Sequence, residues 1–117
     1  MPAARQAHGA FGEAVAARWY EAHGYAVLDR NWRHGRAGEL DLVVAGAGVV
    51  VFCEVKSRSS NAFGEPFEAV TVAKQLRIRR LAAAWLAAHQ DGARGRDVRF
   101  DVASVRNGKI EVLEAAF

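Results

Sequence analysis

The spacing of apolar residues along the chain changes between helix-like and strand-like patterns. In "GAFGEAVAARWYEAHGY", Phe11, Val15 and Trp19 recur at four-residue intervals, and Gly24 suits the end of a helix. This stretch therefore predicts a helix that buries these three side chains. A second helix is predicted over "FEAVTVAKQLRIRRLAAAWLAAHQ", and its clearest buried stripe is Ile78, Leu81, Ala82 and Trp85.

The start of the second helix is predicted from charge and from proline. Pro66 suits the first turn of a helix, and Glu65 and Glu68 place negative charge near its positive end. The preceding segment "SSNAFGEP" is predicted to be a loop, and the helix is predicted to end at "DG", residues 91–92.

Five stretches carry the composition or the alternation of strands, namely "YAVLDRNWR", "ELDLVVA", "VVVFCEVKSR", "DVRFDVASVR" and "KIEVLEA". The second and third are separated by a short glycine-containing turn, and Asn107-Gly108 separates the last two, so both pairs predict hairpins. In "ELDLVVA", alternation predicts that Leu40 and Leu42 share one face. The order α-β-β-β-α-β-β predicts an α/β (α+β) fold, a mixed five-stranded sheet flanked by helices, in one domain spanning residues 1–117.

Composition restricts the class of protein without identifying it. The 117 residues are 51% hydrophobic and 25% charged, with a net charge of +3, which is typical of a globular protein and allows a polyanionic partner. Cys53 is alone in an apolar strand, so it predicts a core residue and no disulfide framework. No apolar stretch reaches the length of a signal peptide or a membrane span, and we expect a cytoplasmic protein with no membrane partner.

The third strand is hydrophobic at first and then carries charges of both signs. Because side chains alternate, Glu54 and Lys56 share the face of Phe52. Asp41, on the preceding strand, joins them only if the hairpin loop holds an even number of residues, and two or four residues around "AGAG" satisfy this condition.

Two carboxylates held close together repel each other, and a divalent cation is a natural compensator. Magnesium prefers hard oxygen ligands and keeps several waters, so one or two carboxylates with a backbone carbonyl suffice. A nearby lysine can orient a water and neutralise a phosphate, so the three charged groups together suit phosphodiester hydrolysis. The alternative is a structural ion-pair network of Asp41 or Glu54 with Lys56 at the end of the sheet.

The chain contains, in order, "FGEAVAARWYEAHGYAVLDRNWR", "GELDLVV", a strand ending "EVKSR", and then "GEPFEAV", "KQ" and "WL". This arrangement resembles that of a known family. It is similar to the YraN-like bacterial family, which is uncharacterised and predicted to be endonuclease-like. That family belongs to the PD-(D/E)XK restriction-endonuclease-like superfamily and is related to archaeal Holliday-junction resolvases. The resemblance extends from about Gly9 to Val105.

This resemblance implies roles for individual residues. Asp41 and Glu54 match the metal-binding acids, the Val55 carbonyl would be a further ligand, and Lys56 matches the catalytic lysine. Glu13 matches an additional helical glutamate of resolvase-like members, although an exposed acid at the start of a helix is an equal alternative. The implied cofactor is Mg²⁺ or Mn²⁺. The proline that precedes the superfamily's aspartate is replaced by leucine here.

Basic and polar residues near the expected site are candidates for contact with a nucleic-acid backbone, and these are Arg33, Arg36, Arg58, Lys74, Gln75 and Arg77. A solvated helix surface explains those on the second long helix equally well. Trp19 and Trp85 are predicted to pack in the core, while Trp32 suits either the core or base stacking.

Two hypotheses follow for the function. The first is a Mg²⁺-dependent nuclease acting on DNA, including branched or structured DNA of the Holliday-junction type, and related resolvases act as dimers, which allows a homodimer here. The second is a non-catalytic module of the same fold that binds nucleic acid.

Overall fold

The computed structural model describes residues 3–58 and 70–117. In chain order these residues form α1 (Ala3–Ala22), β1 (Ala26–Arg33), a 3-10 turn (Gly35–Ala37), β2 (Glu39–Gly46), β3 (Val49–Arg58), α2 (Val72–Ala88), α3 (Gln90–Ala93), β4 (Asp97–Arg106) and β5 (Lys109–Leu113). The predicted order of the two long helices and five strands is confirmed, with the four-residue α3 added after α2. The predicted loop of residues 59–66 and the charges at Glu65 and Glu68 lie outside the described residues.

The five strands form one mixed sheet in the order β1-β2-β3-β4-β5. Neighbouring strands are antiparallel except β3 and β4, which are parallel because α2 carries the chain back between them. Ala47 and Gly48 both have positive φ, at 52° and 77°, as do Asn107 and Gly108, at 53° and 73°. These angles are those of the two-residue turns that suit the twist of a hairpin, so both predicted hairpins are confirmed.

The helices cover opposite faces of the sheet. The α1 side is filled by Leu42, Val44, Val51, Cys53 and Ala103, and the α2 side by Val43, Phe52, Phe100 and the α2 stripe of Ile78, Leu81, Ala82 and Trp85. The α2 stripe is therefore confirmed, and Trp85 is 1% exposed. Cys53 is buried, as predicted for a core residue. None of the described helices combines the length and apolar character that a bilayer crossing requires.

The start of α2 differs from the prediction at Pro66. Val70 and Thr71 are not helical, and the helix begins at Val72. Thr71 is extended, and its Oγ1 accepts a hydrogen bond from the backbone N–H of Lys74, as a helix N-cap does. The Thr71 side chain thus satisfies one of the backbone N–H groups that have no partner within the first turn of a helix. The helix ends at Ala88, where His89 leaves the helical conformation.

The buried face of α1 also differs from the prediction. Phe11 is 51% exposed and Trp19 is only half-buried, whereas Ala16, Ala17 and Tyr20 are buried. Small side chains allow the helix to approach the sheet closely, and this close approach outweighs the larger apolar side chains of the neighbouring stripe. The predicted stripe is therefore wrong at Phe11 and holds only in part at Val15 and Trp19.

Alternation fails at the start of β2. Leu40 packs on the α2 side and Leu42 on the α1 side, so the prediction that they share a face is wrong. The β2–β3 pairing begins only at Leu42, and Asn31 in the neighbouring strand β1 has a positive φ of 51°. The first residues of β2 are therefore paired on one side only, next to an irregular strand, and are not held to the pleat of the sheet.

A buried carboxylate joins α1 to the far end of the chain. Asp101 on β4 is fully buried and accepts hydrogen bonds from the Tyr20 hydroxyl at 2.6 Å and from the backbone N–H of Ala115 at 3.0 Å. Arg99 donates to both of its oxygens, from Nε at 2.8 Å and from Nη2 at 2.9 Å. A buried charge is tolerated when it is paired and fully hydrogen-bonded, and this one fastens three segments together.

Gly12 marks the closest approach of α1 to β3. A Cβ placed there would collide with the Ser57 hydroxyl and lie 3.6 Å from the Cγ1 of Val55. We expect Gly12→Ala to destabilise the protein by about 1–3 kcal/mol, because overpacking outweighs the roughly 1 kcal/mol gained in helix propensity. Urea unfolding measures the difference. The double variant Gly12→Ala/Ser57→Ala should recover most of the loss, and a stabilised Gly12→Ala would contradict this close packing.

Candidate metal centre

The hairpin register brings the two predicted acidic ligands together. The last pair of the β2–β3 ladder is Leu42 with Cys53, so Asp41 and Glu54 are the next residues beyond it, and they are close enough for the charge of Glu54 to raise the pKa of Asp41. The Ala47-Gly48 turn has two residues, an even number, which is the condition that the sequence imposed. The predicted juxtaposition of Asp41 and Glu54 is thus present in the structure.

Asp41 lies where the regular β2–β3 pairing stops. Its Oδ2 accepts a hydrogen bond from the backbone N–H of Val55 at 2.9 Å, so the carboxylate continues the connection between the strands beyond the last paired residues. Burial raises the pKa of Asp41 to about 8, and the negative charges of Glu54 and Glu13 act in the same direction. The Val55 hydrogen bond opposes this rise but does not cancel it. Asp41 is therefore a carboxylate that lacks a sufficient positive partner.

Glu54 has such a partner, and it comes from α2. The Nζ of Lys74 lies 2.7 Å from Glu54 Oε1, while the Nζ of Lys56 lies 4.0 Å from the same oxygen. The Glu54 side chain is 10% exposed. The structure therefore gathers two carboxylates and two ammonium groups at one end of the sheet, with the closer ammonium contributed by a residue distant in sequence.

The two lysines also act on each other. Burial lowers the pKa of Lys56, and the neighbouring Lys74 lowers it further, while the carboxylates of Glu54 and Asp41 oppose the change. Burial alone would lower the pKa of Lys74 too, but its contact with Glu54 outweighs burial and raises it. Lys74 is thus the firmly charged member of the pair.

Glu13 reaches the same region from α1. It is half-buried, ten residues after the helix start at Ala3, so the alternative of an exposed acid at the start of a helix is wrong. Burial raises its pKa, a hydrogen bond with Asn31 opposes this, and the charges of Glu39 and Glu54 raise it further. Asn31, with its positive φ, was not singled out in the sequence, and only the irregularity of β1 reveals its position beside Glu13.

The donor set suits a hydrated hard cation held by few protein atoms. Asp41 and Glu54 carry carboxylate oxygens, and Val55, whose N–H donates to Asp41, carries a backbone carbonyl; Mg²⁺ prefers such hard oxygen donors and completes its shell with water. Within residues 3–58 and 70–117, no three His, Cys, Asp or Glu side chains stand close enough to form a ready-made cage. The shortage of positive charge at Asp41 is the property that a bound cation would relieve.

The remaining candidates for nucleic-acid contact are spread around this centre. Arg33 forms an ion pair with Glu39 at 3.2 Å, and the Nε2 of Gln75 donates to the Val70 carbonyl at 3.3 Å. Arg36 and Arg77 are exposed, and Arg58 ends β3 half-buried. Among the residues predicted for this role, Lys74 contacts the carboxylate of Glu54.

The sequence predicts that Lys74 contacts a nucleic-acid backbone, and it does not predict the contact of Lys74 with Glu54. One feature of the sequence indicates this contact once the start of α2 is known. Lys74 lies in the first turn of α2, where a cation opposes the helix dipole. A lysine there requires a compensating anion, and Glu54 is that anion.

Trp32 is half-buried against the α2-side core, and its ring is stacked on that of His34 with centroids 5.3 Å apart. The expectation of core packing is confirmed for Trp85, and holds in part for Trp19, which is half-buried beside the α1-side core. The three tryptophan rings therefore pack within or against the hydrophobic core, and the ring of the exposed His34 stacks on that of Trp32.

The protein belongs to the α+β class, because a mixed five-stranded sheet carries a helix on each face. A pair of carboxylates with two neighbouring lysines lies at one end of this sheet. Residues 12–105 match the Uncharacterised protein family UPF0102. A UPF0102 protein of Beutenbergia cavernae is 57% identical over 102 residues, covering 87% of this chain and 84% of that protein. One of Frankia alni is 50% identical over 119 residues, covering 97% of each.

The chain belongs to the UPF0102 family. A further member, from Streptomyces coelicolor, is 48% identical over 102 residues and covers 87% of this chain and 78% of that protein. The resemblance to an uncharacterised bacterial family is thereby confirmed at the level of the family, while its relation to nucleases stays a prediction.

The raised pKa of Asp41 makes stability depend on pH. An unfolded aspartate ionises near pH 4, whereas the folded one resists ionisation up to about pH 8, so folding stability falls as the pH rises through this window. We expect Asp41→Asn, measured in EDTA, to be more stable than the parent by about 1–3 kcal/mol at pH 8.5 and nearly equal to it at pH 4. Thermal unfolding across this pH range measures the effect.

Asp97→Asn provides the matched control, because Asp97 is exposed at the start of β4 and lies outside the carboxylate cluster. Its stability relative to the parent should stay level over the same pH range. An Asp41→Asn protein that is destabilised at every pH would show that the carboxylate serves the fold through Val55 rather than opposing it.

Proposed function

We propose that this protein is a metal-dependent nuclease that hydrolyses phosphodiester bonds in DNA, including branched or structured DNA. The observation that supports the proposal is the convergence of Asp41, Glu54 and Lys56 beside the end of the β2–β3 pairing. These are the residue types that positioned hydrolysis of a phosphodiester requires.

In the proposed reaction, Asp41 and Glu54 hold Mg²⁺ or Mn²⁺, with the Val55 carbonyl as a further ligand. When bound, the cation would polarise a phosphate oxygen and lower the pKa of a coordinated water. Lys56 holds the attacking water near the scissile phosphorus and neutralises charge that develops on the phosphate. Glu13, close enough to influence both carboxylates, would support a second ion.

Contact with the nucleic-acid backbone is proposed for the exposed basic residues around the centre, chiefly Arg36 and Arg77. Arg77 lies close to the loop before β2, since a Cβ on Gly38 would be 3.6 Å from its Cδ. Arg36 lies in the 3-10 turn and Arg77 lies beside Gly38, so both flank the segment that leads into β2. Symmetric substrates would further favour a homodimer, and a cytoplasmic location suits a chromosomal substrate.

We expect metal binding and DNA cleavage to depend on different residues. Mn²⁺ titration should show saturable binding that Asp41→Ala abolishes, because a principal ligand is lost. Lys56→Ala should bind metal but cleave plasmid, single-stranded or four-way-junction DNA about 100-fold more slowly, since it removes charge stabilisation only. Lys109→Ala, an exposed lysine on β5, is the matched control and should cleave normally.

Two outcomes would change the assignment. Metal binding without cleavage of any of the three DNA substrates would favour the non-catalytic nucleic-acid-binding module. Cleavage that persists in the double variant Glu54→Ala/Lys56→Ala would overturn the roles given to these residues and point to another site or to a contaminant.

A further inference from the structure

We propose that Lys74 is a built-in counter-ion that occupies the metal-binding carboxylate Glu54 in the metal-free protein and must be displaced when a divalent cation binds. The inference deepens the proposed function and rests on it, because it takes Glu54 to be a metal ligand. It concerns a residue of α2 that lies outside the Asp41–Glu54 hairpin.

The distances support a specific pairing of Lys74 with Glu54. Lys74 Nζ lies 2.7 Å from Glu54 Oε1, a charge-assisted hydrogen bond, whereas Lys56 Nζ lies 4.0 Å away, beyond hydrogen-bonding distance. With a side chain 10% exposed, Glu54 has little access to water and needs a charged partner. Lys74 is that partner in the metal-free protein.

A metal and an ammonium group that bind the same carboxylate are both positively charged. Glu54 Oε1 accepts from Lys74, so a cation that binds this carboxylate meets an ammonium group already in contact with it. Two positive charges on one carboxylate oxygen repel each other, and Lys56 already lies nearby. Metal binding and the Lys74–Glu54 contact are therefore antagonistic.

The position of Lys74 allows it to leave. It is in the first turn of α2, its side chain is 32% exposed, and its ammonium group is carried by a flexible four-carbon stem. The positive end of the helix dipole favours its departure as soon as Glu54 takes another partner. The released ammonium group stays beside the centre, where it is available to a phosphate of the substrate.

The test is metal affinity, measured without reference to activity. Mn²⁺ binding is titrated calorimetrically into the full chain and into three variants. Lys74→Met keeps the apolar stem and removes the charge, Lys74→Arg keeps the charge, and Arg80→Met removes an exposed charge from the same helix. We expect Lys74→Met to bind Mn²⁺ about fivefold or more tightly than the parent, while the other two stay within about twofold.

A second measurement tests the counter-ion in the metal-free protein. In EDTA, Lys74→Met should unfold at a lower temperature than the parent, because Glu54 loses its partner, and Mn²⁺ should raise its unfolding temperature by more than it raises that of the parent. Glu54→Gln should remove most of the difference between lysine and methionine at position 74. This cycle attributes the effect to the pair.

The outcomes distinguish the two proposals. If the parent and Lys74→Met bind Mn²⁺ equally, the counter-ion inference is overturned and the proposed function stands. If Arg80→Met tightens binding as much as Lys74→Met, the effect is general electrostatics and the inference is again overturned. If neither the parent nor Lys74→Met binds Mn²⁺ or Mg²⁺, the proposed function fails and the inference fails with it.

Discussion

The register of the β2–β3 hairpin is the constraint on which the candidate centre depends. The two-residue turn at Ala47-Gly48 fixes which residues of β2 and β3 face each other, from the Gly46–Val49 pair to the Leu42–Cys53 pair. Because side chains alternate, a slip of one residue would turn Glu54 to the opposite face and separate it from Asp41. Parallel pairing with β4 along the whole of β3 holds the strand in place from its other side.

The centre lies where regular pairing ends, and this explains how both helices reach it. Past Leu42, β2 no longer pairs with β3, and the Asp41 carboxylate takes over the backbone donor of Val55. Glu13 arrives from α1 on one face of the sheet and Lys74 from α2 on the other. Since two carboxylates in a partly buried site repel each other, the two ammonium groups beside Glu54 offset part of this repulsion.

The sequence predicted the elements and the core of the site because both depend on local patterns. Alternation placed Glu54 and Lys56 on one face, and the condition of an even number of loop residues is met by the two-residue turn. Features that depend on tertiary contacts were not predicted: the close approach of α1 at Gly12, the exposure of Phe11, and the ion pair between Lys74 and Glu54. The sequence also fails where a strand is paired on one side only, as at Leu40, because nothing there enforces the alternation.

The parallel pairing of β3 with β4 has a consequence for the order of folding. The carboxylate pair belongs to one hairpin, which can close within microseconds, whereas β4 and the helix that carries Lys74 must first be brought across a long connection. Contacts between distant segments slow folding. The hairpin that carries Asp41 and Glu54 can therefore form before Lys74 reaches it, and Lys56 is the ammonium group that already lies on the same strand.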